Sequence, residues 1–167
     1  IGFSGDSVSS WESLKFQPYF TATASNIGFV WWSHDIGGFQ RGNKDDELIT
    51  RWVQFGVFSP INRLHSMNLR YMSKEPWNYN KICQDSIKKF LKLRHSLIPY
   101  IYTMNYRASY LSEPLVKPLY YEYTGAEAYR NNTEYLFGTE LLVSPVVNPA
   151  DSVTSYGSAK VYLPSGI

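Results

Sequence analysis

The sequence predicts an α/β chain that closes in β: the last units of a (β/α) barrel over residues 1–123, then the start of an all-β domain over 124–167. Three observations predict it. Short apolar runs alternate with helix-patterned stretches up to about residue 123, and the hydrophobic period then falls to two or below. Two of the early runs, Phe3-Ser4-Gly5-Asp6 and Trp31-Trp32-Ser33-His34-Asp35, end in an aspartate just ahead of a turn or helix signal. In a β/α barrel the carboxyl ends of the strands share one mouth, so such residues converge there.

Each element follows from local chemistry. Residues 2–6 read as a short strand. Ser9 precedes Glu12 by three positions, the spacing of a capping box, and Trp11 and Leu14 begin an apolar stripe. The helix so started runs to about Ala24 and is kinked or divided at Pro18. Residues 28–32 are apolar without alternation, as in a strand buried on both faces, and a Gly37-Gly38 turn follows. Asp45, Asp46 and Glu47 put negative charge on the first turn of the next helix, where the macrodipole favours it. Leu48, Trp52 and Phe55 recur on one face of it.

Residues 58–65 are irregular or extended, since Pro60 excludes a regular helix. A long helix is predicted over 81–111, kinked at Pro99. It buries Ile87, Phe90, Leu91, Leu97, Ile98, Ile101, Met104 and Ala108. Strands are predicted over 115–123, 135–147 and 160–163. The first residues read as a strand already under way and the tail, 161–167, as a pattern cut short, so the chain is expected to be part of a longer one.

Composition narrows the function. With 167 residues the chain can bury a core without a disulfide or metal, and 44% hydrophobic residues against 18% charged exclude a disordered segment. A net charge of +2 points away from nucleic acid and anionic membranes as partners. No apolar run approaches the ~18 residues of a membrane span. The lone Cys83 excludes an intrachain disulfide and favours a reducing compartment. The aromatic share is 17%, with 14 Tyr, 9 Phe and 5 Trp, enough to fill a core or to line a surface that stacks on flat ligands such as sugars.

Asp6, Asp35, Arg63 and His65 converge at the mouth of the predicted barrel, a set suited to acid/base chemistry on a polar ligand. The rival reading is that the two aspartates cap the turns or helices that follow them, and spacing alone favours that reading. His34 and His65 match no metal-ligand spacing, so no metal and no cofactor is expected. Ser4 lacks the G-x-S-x-G spacing of a nucleophile elbow. Gly37-Gly38 lacks a phosphate-loop pattern and reads as a sharp turn. Asn131-Asn132-Thr133 is a glycosylation sequon by pattern only.

Taken together, Phe3-Ser4-Gly5-Asp6, His34-Asp35-Ile36-Gly37-Gly38-Phe39, Phe58-Ser59-Pro60 with Arg63-Leu64-His65, Leu97-Ile98-Pro99-Tyr100 and Leu141-Leu142-Val143-Ser144-Pro145 resemble glycoside hydrolase family 31. These are the α-glucosidases, α-xylosidases and their relatives, and the resemblance covers nearly the whole chain in order. It implies the C-terminal portion of a (β/α)8 TIM barrel and the start of a proximal all-β sandwich domain. It also implies a retaining, two-carboxylate mechanism that releases terminal α-linked glucose from oligosaccharides.

By position in the resembling motifs, Asp6 matches the general acid/base and Asp35 a residue on the floor of the terminal-sugar site. Phe39 matches an apolar wall of that site, and His65 and Arg63 match a histidine that binds sugar hydroxyls and the arginine beside it. Phe3 stands as a wall where Trp is common, and Ser7 where Asn is common. No W-x-D-M-N-E-like segment, which carries the family's nucleophile, occurs here. The nucleophile would come from the remainder of the catalytic domain, with which this chain is expected to associate, and the chain alone is expected to be inactive. The Glu75-Pro76-Trp77 loop looks most like bacterial α-glucosidases, which favours a bacterial cytoplasm. An α-xylosidase and a non-catalytic carbohydrate-binding or assembly module are the rival readings.

Overall fold

The computed structural model describes residues 1–164; the last three residues of the tail lie outside them. Two short strands, β1 (Gly2–Phe3) and β3 (Trp32–Ser33), pair in parallel, as do β2 (Val8–Ser9) and β4 (Gln40–Gly42). A further parallel bridge joins Ile36 to Leu64. Helices α1 (Trp11–Thr23) and α2 (Asp46–Gly56) connect these levels. These parallel strand ends, with the helices between them, make up the first part of the chain.

The expected cap at Ser9 shifts by one residue. Ser10 is the N-cap, its Oγ accepting from the Ser13 N–H at 3.2 Å, while the Ser9 hydroxyl turns inward and donates to the Gly37 carbonyl at 2.7 Å. Pro18 does not divide α1, which is unbroken to Thr23 and passes into a 3₁₀ turn over Ala24–Ile27. Nor is the apolar run 28–32 buried on both faces. Trp32 packs edge-on against Phe20 at 4.8 Å, but Phe29 and Trp31 are exposed, because no second layer of the described residues covers their side.

The first turn of α2 is as predicted. Asp45 is the N-cap, accepting from the Glu47 and Leu48 N–H groups, and Leu48, Trp52 and Phe55 are buried. The predicted 81–111 helix is two helices, α3 (Lys81–Ser96) and α4 (Ile98–Leu111), meeting at Leu97. Pro99 falls in the first turn of α4, where its missing N–H leaves nothing unpaired. The break turns Ile98 out to solvent while Ile87, Ile101, Met104 and Ala108 stay inside.

The β part is a three-stranded antiparallel sheet of β5 (Val116–Pro118), β6 (Tyr135–Phe137) and β7 (Leu141–Val143), with α5 (Ala126–Arg130) in the β5–β6 connection. The sheet thus takes its first strand from before residue 123. The predicted strand 115–123 stops at Pro118 and becomes a 3₁₀ turn, and 135–147 is a hairpin rather than one strand. Residues 160–163 form no ladder. They are tied instead by side chains, the Tyr162 N–H to Glu134 Oε2 at 3.0 Å and the Ser144 hydroxyl to the Lys160 carbonyl at 3.2 Å.

One core joins the two parts. Phe55 meets Tyr135 and Phe58 meets Phe137, both edge to face at about 6 Å, and the Tyr135 hydroxyl donates to the Phe58 carbonyl at 2.9 Å. Arg94 on α3 donates to the carbonyls of Val57, Ser59 and Pro60, which holds the irregular segment that leads to Arg63 and His65.

Candidate functional site

β1 and β3 lie side by side with Gly2 opposite Trp32 and Phe3 opposite Ser33, so their carboxyl ends emerge together. After β1 the Ser4 N–H still donates to the Ser33 carbonyl at 3.0 Å. Gly5 then turns at φ +76°, a conformation open to glycine at little cost, and delivers Asp6 to the surface. After β3 the chain turns inward, and His34 and Asp35 are fully buried.

Arg63 organises what lies between. Its Nη2 donates to Asp35 Oδ1 at 2.7 Å and its Nε to Ser33 Oγ at 3.1 Å, while its guanidinium lies 5.2 Å from the centre of the Phe3 ring. The second Asp35 oxygen accepts from the Ser7 N–H at 3.4 Å. Phe39 stacks on His65 with ring centres 5.0 Å apart and planes 18° apart. That stack is set by backbone. The Phe39 N–H donates to the Ser7 carbonyl, and the Ile36–Leu64 bridge brings His65 alongside.

The result is an open depression of about 470 Å³ whose lining includes Phe3, Asp6, Phe39, Ile61, Arg63 and His65. Five of the six residues singled out from sequence therefore share one surface. Asp35 does not. Expected on the floor of a sugar site, it has no exposed surface, and its two carboxylate oxygens are taken by Arg63 and by the Ser7 N–H.

His34 is a support beneath the site. Trp52 Nε1–H donates to its Nδ1 at 3.3 Å, which puts the ring proton on Nε2, facing Ser59 Oγ at 2.8 Å. Burial, then the nearby Arg63 charge, pushes its pKa down to about 3, so the imidazole is neutral. Among the described residues no group of three or more His, Cys, Asp or Glu side chains could hold a metal.

Sequence reasoning missed Ser33 and Ile61. Ser33 alternates with the inward Trp32 on β3, so period two was enough to place it on the Arg63 side. Ser7 acts through its N–H and carbonyl, which leaves no side-chain signal. Its hydroxyl is buried and has no hydrogen-bond partner among the described residues.

The sequence model of the glycosyl hydrolases family 31 TIM-barrel domain matches residues 1–104, and that of the family 31 C-terminal domain matches residues 112–167. The chain belongs to glycoside hydrolase family 31. Among curated relatives, it is 33% identical to an α-xylosidase of Saccharolobus solfataricus over 99% of this chain and 22% of the relative. It is 32% identical to α-glucosidase 2 of Bacillus thermoamyloliquefaciens over 89% of this chain and 19% of that protein. The chain thus spans about a fifth of the length of these relatives.

Solved structures of the family agree in fold. A family 31 α-xylosidase from a soil metagenome, complexed with xylose, superposes with a TM-score of 0.79 at 32% identity, covering 87% of this chain and 25% of that one. A Flavobacterium johnsoniae family 31 dextranase complexed with isomaltotriose gives 0.82 at 33% identity, over 89% of this chain and 19% of the dextranase. The chain is therefore the closing portion of a TIM barrel running into the next, β-rich domain.

Proposed function

We propose that this chain supplies the acid/base side of a retaining α-glycosidase site that releases terminal α-linked glucose from oligosaccharides. The observation that carries the reading is Asp6, an exposed carboxyl on a depression it shares with two aromatic rings, a guanidinium and an imidazole. Asp6 would protonate the departing glycosidic oxygen and then take a proton from the attacking water. Phe3 and Phe39 would bound the sugar, and Arg63 and His65 would donate to its hydroxyls. Asp35 would act at one remove by holding Arg63.

The nucleophilic carboxylate would come from the rest of the longer polypeptide, since this chain has no segment resembling the one that carries it in the family. A retaining site needs that second carboxyl about 5–5.5 Å from the first. The α-xylosidase reading stands second, because relatives of both specificities align over most of the chain. One hydroxymethyl group distinguishes the two sugars, a difference worth only about 1–3 kcal/mol in a pocket.

The test uses the full-length polypeptide with Asp6→Ala, assayed on maltose and on an aryl α-glucoside whose leaving group needs no proton. Cleavage of maltose should fall by about 10²-fold or more, with formation of the glycosyl-enzyme from the aryl substrate largely spared. Equal, mild losses on both substrates would remove Asp6 from the chemistry. A wild-type polypeptide that prefers the aryl α-xyloside would promote the second reading.

A further inference from the structure

The segment that ends the lining of the depression around Asp6 goes on directly to line a second groove. His65 lines the first; the residues from Ser66 onward line the second, an open groove of about 470 Å³ that includes Asn68, Arg70, Glu75 and Trp77. The segment between is tied to the wall of the first site, for the Met67 N–H donates to the Phe39 carbonyl at 2.9 Å.

The loop that carries this groove is pinned from beneath. Met72, Lys74 and Tyr79 are buried, the Tyr79 hydroxyl donates to the Ser73 carbonyl at 3.1 Å, and the Lys44 ammonium sits 4.9 Å from the Tyr79 ring centre. Asn78 Nδ2 donates to Ser73 Oγ at 2.8 Å and to Glu75 Oε2 at 3.1 Å. On this frame Trp77 holds its indole out in solvent, 73% exposed, the most exposed of the five tryptophans.

An exposed, flat apolar face beside groups that donate and accept hydrogen bonds matches one ligand chemistry well. A pyranose ring offers a C–H face for the indole and a rim of hydroxyls for the Arg70 guanidinium, the Glu75 carboxylate and the Asn68 amide.

We infer that the groove over residues 66–78 is a distal sugar subsite, with Trp77 as its stacking platform, that binds later units of an oligosaccharide whose terminal unit is cleaved at Asp6. The inference rests on the glycosidase reading above. It makes Trp77 a determinant of chain-length preference with no part in bond cleavage.

The test compares wild type, Trp77→Ala and Trp77→Phe in the full-length polypeptide, on an aryl α-glucoside and on the di-, tri- and tetrasaccharides of α-linked glucose. Trp77→Ala should lose about tenfold in kcat/KM on the tri- and tetrasaccharide, through KM, with the aryl glucoside unchanged. Trp77→Phe should recover most of that loss. Equal losses at every chain length would overturn the inference. So would a lower Tm with an unchanged length profile, which would mean the indole packs under another part of the polypeptide. A wild-type polypeptide that cleaves neither α-glucosides nor α-xylosides would sink the glycosidase reading and the subsite with it. That outcome is distinct from an active enzyme whose length preference ignores Trp77.

Discussion

Two aspartates close two neighbouring parallel strands, and their surroundings are opposite. Asp6 follows β1 by way of Gly5 and stands exposed on the depression; Asp35 follows β3 and is sealed beneath it against Arg63 and the Ser7 N–H. The difference lies in the turns. Gly5 lifts the chain away from the sheet, and a side chain there would meet open space. The turn after Asp35 runs at Gly38 directly against the Ser9 backbone. A strand-end carboxylate thus becomes an exposed acid or a buried brace according to where the glycine lets the backbone go.

Closing the tight turn should have the largest effect. At Gly38, φ +78°, an added Cβ would lie 2.5 Å from Ser9 Cα and 2.7 Å from its nitrogen, and backbone cannot step aside cheaply. Gly38→Ala in the full-length polypeptide should cost about 3 kcal/mol or more by chemical denaturation, whereas Gly5→Ala should cost only about 1 kcal/mol for its strained φ.

Removing the brace comes next. Asp35→Ala leaves Arg63 unpaired, and breaking a buried pair costs about 3–5 kcal/mol; Arg63 is 34% exposed, so about 2–3 kcal/mol is expected. Activity should fall as Arg63 loses its position, on aryl and natural substrates alike.

His34, buried beneath the same site, makes stability depend on pH. Its folded pKa is about 3 against about 6.5 when unfolded, so the unfolded chain binds the extra proton between those values. Stability should therefore fall as pH drops from about 6.5 toward about 3, with a slope approaching 1.4 kcal/mol per pH unit from this group. Urea titrations of wild type and His34→Gln across that window should differ in slope, the variant being flatter. The smallest effect belongs to Asp6→Asn, which touches an exposed group and should change stability by no more than about 0.5 kcal/mol.

Much of this was legible in the residues. Asp45 with two acids behind it marked the start of α2; the strand-end spacing pointed to Asp6, Arg63 and His65 and the family resemblance to Phe3 and Phe39, all of which line one depression. What stayed hidden depends on the direction of the chain in space. Ser9 and Ser10 are equally good caps on paper; the choice falls to Ser10 because Ser9 is needed inside by the Gly37 carbonyl. The run 28–32 is uniformly apolar, so its pattern could not tell which rings meet α1 and which face outward. Pro18 and Pro99 look alike as helix breakers, yet one sits within α1 and the other in the first turn of α4. The burial of Asp35 was hidden for a similar reason, since its partner lies 28 residues away.

The most direct test of the account is rescue by a small nucleophile. Asp6→Ala and Asp35→Ala, each in the full-length polypeptide, would be assayed on an activated aryl α-glucoside with and without azide. If Asp6 moves the proton and Asp35 only holds Arg63, azide should accelerate turnover and yield the α-glucosyl azide for Asp6→Ala alone, since only that variant retains its transition-state contacts while lacking the base. Rescue of Asp35→Ala instead, or of neither variant, would contradict the assignment of the exposed aspartate as the acid and the buried one as its support.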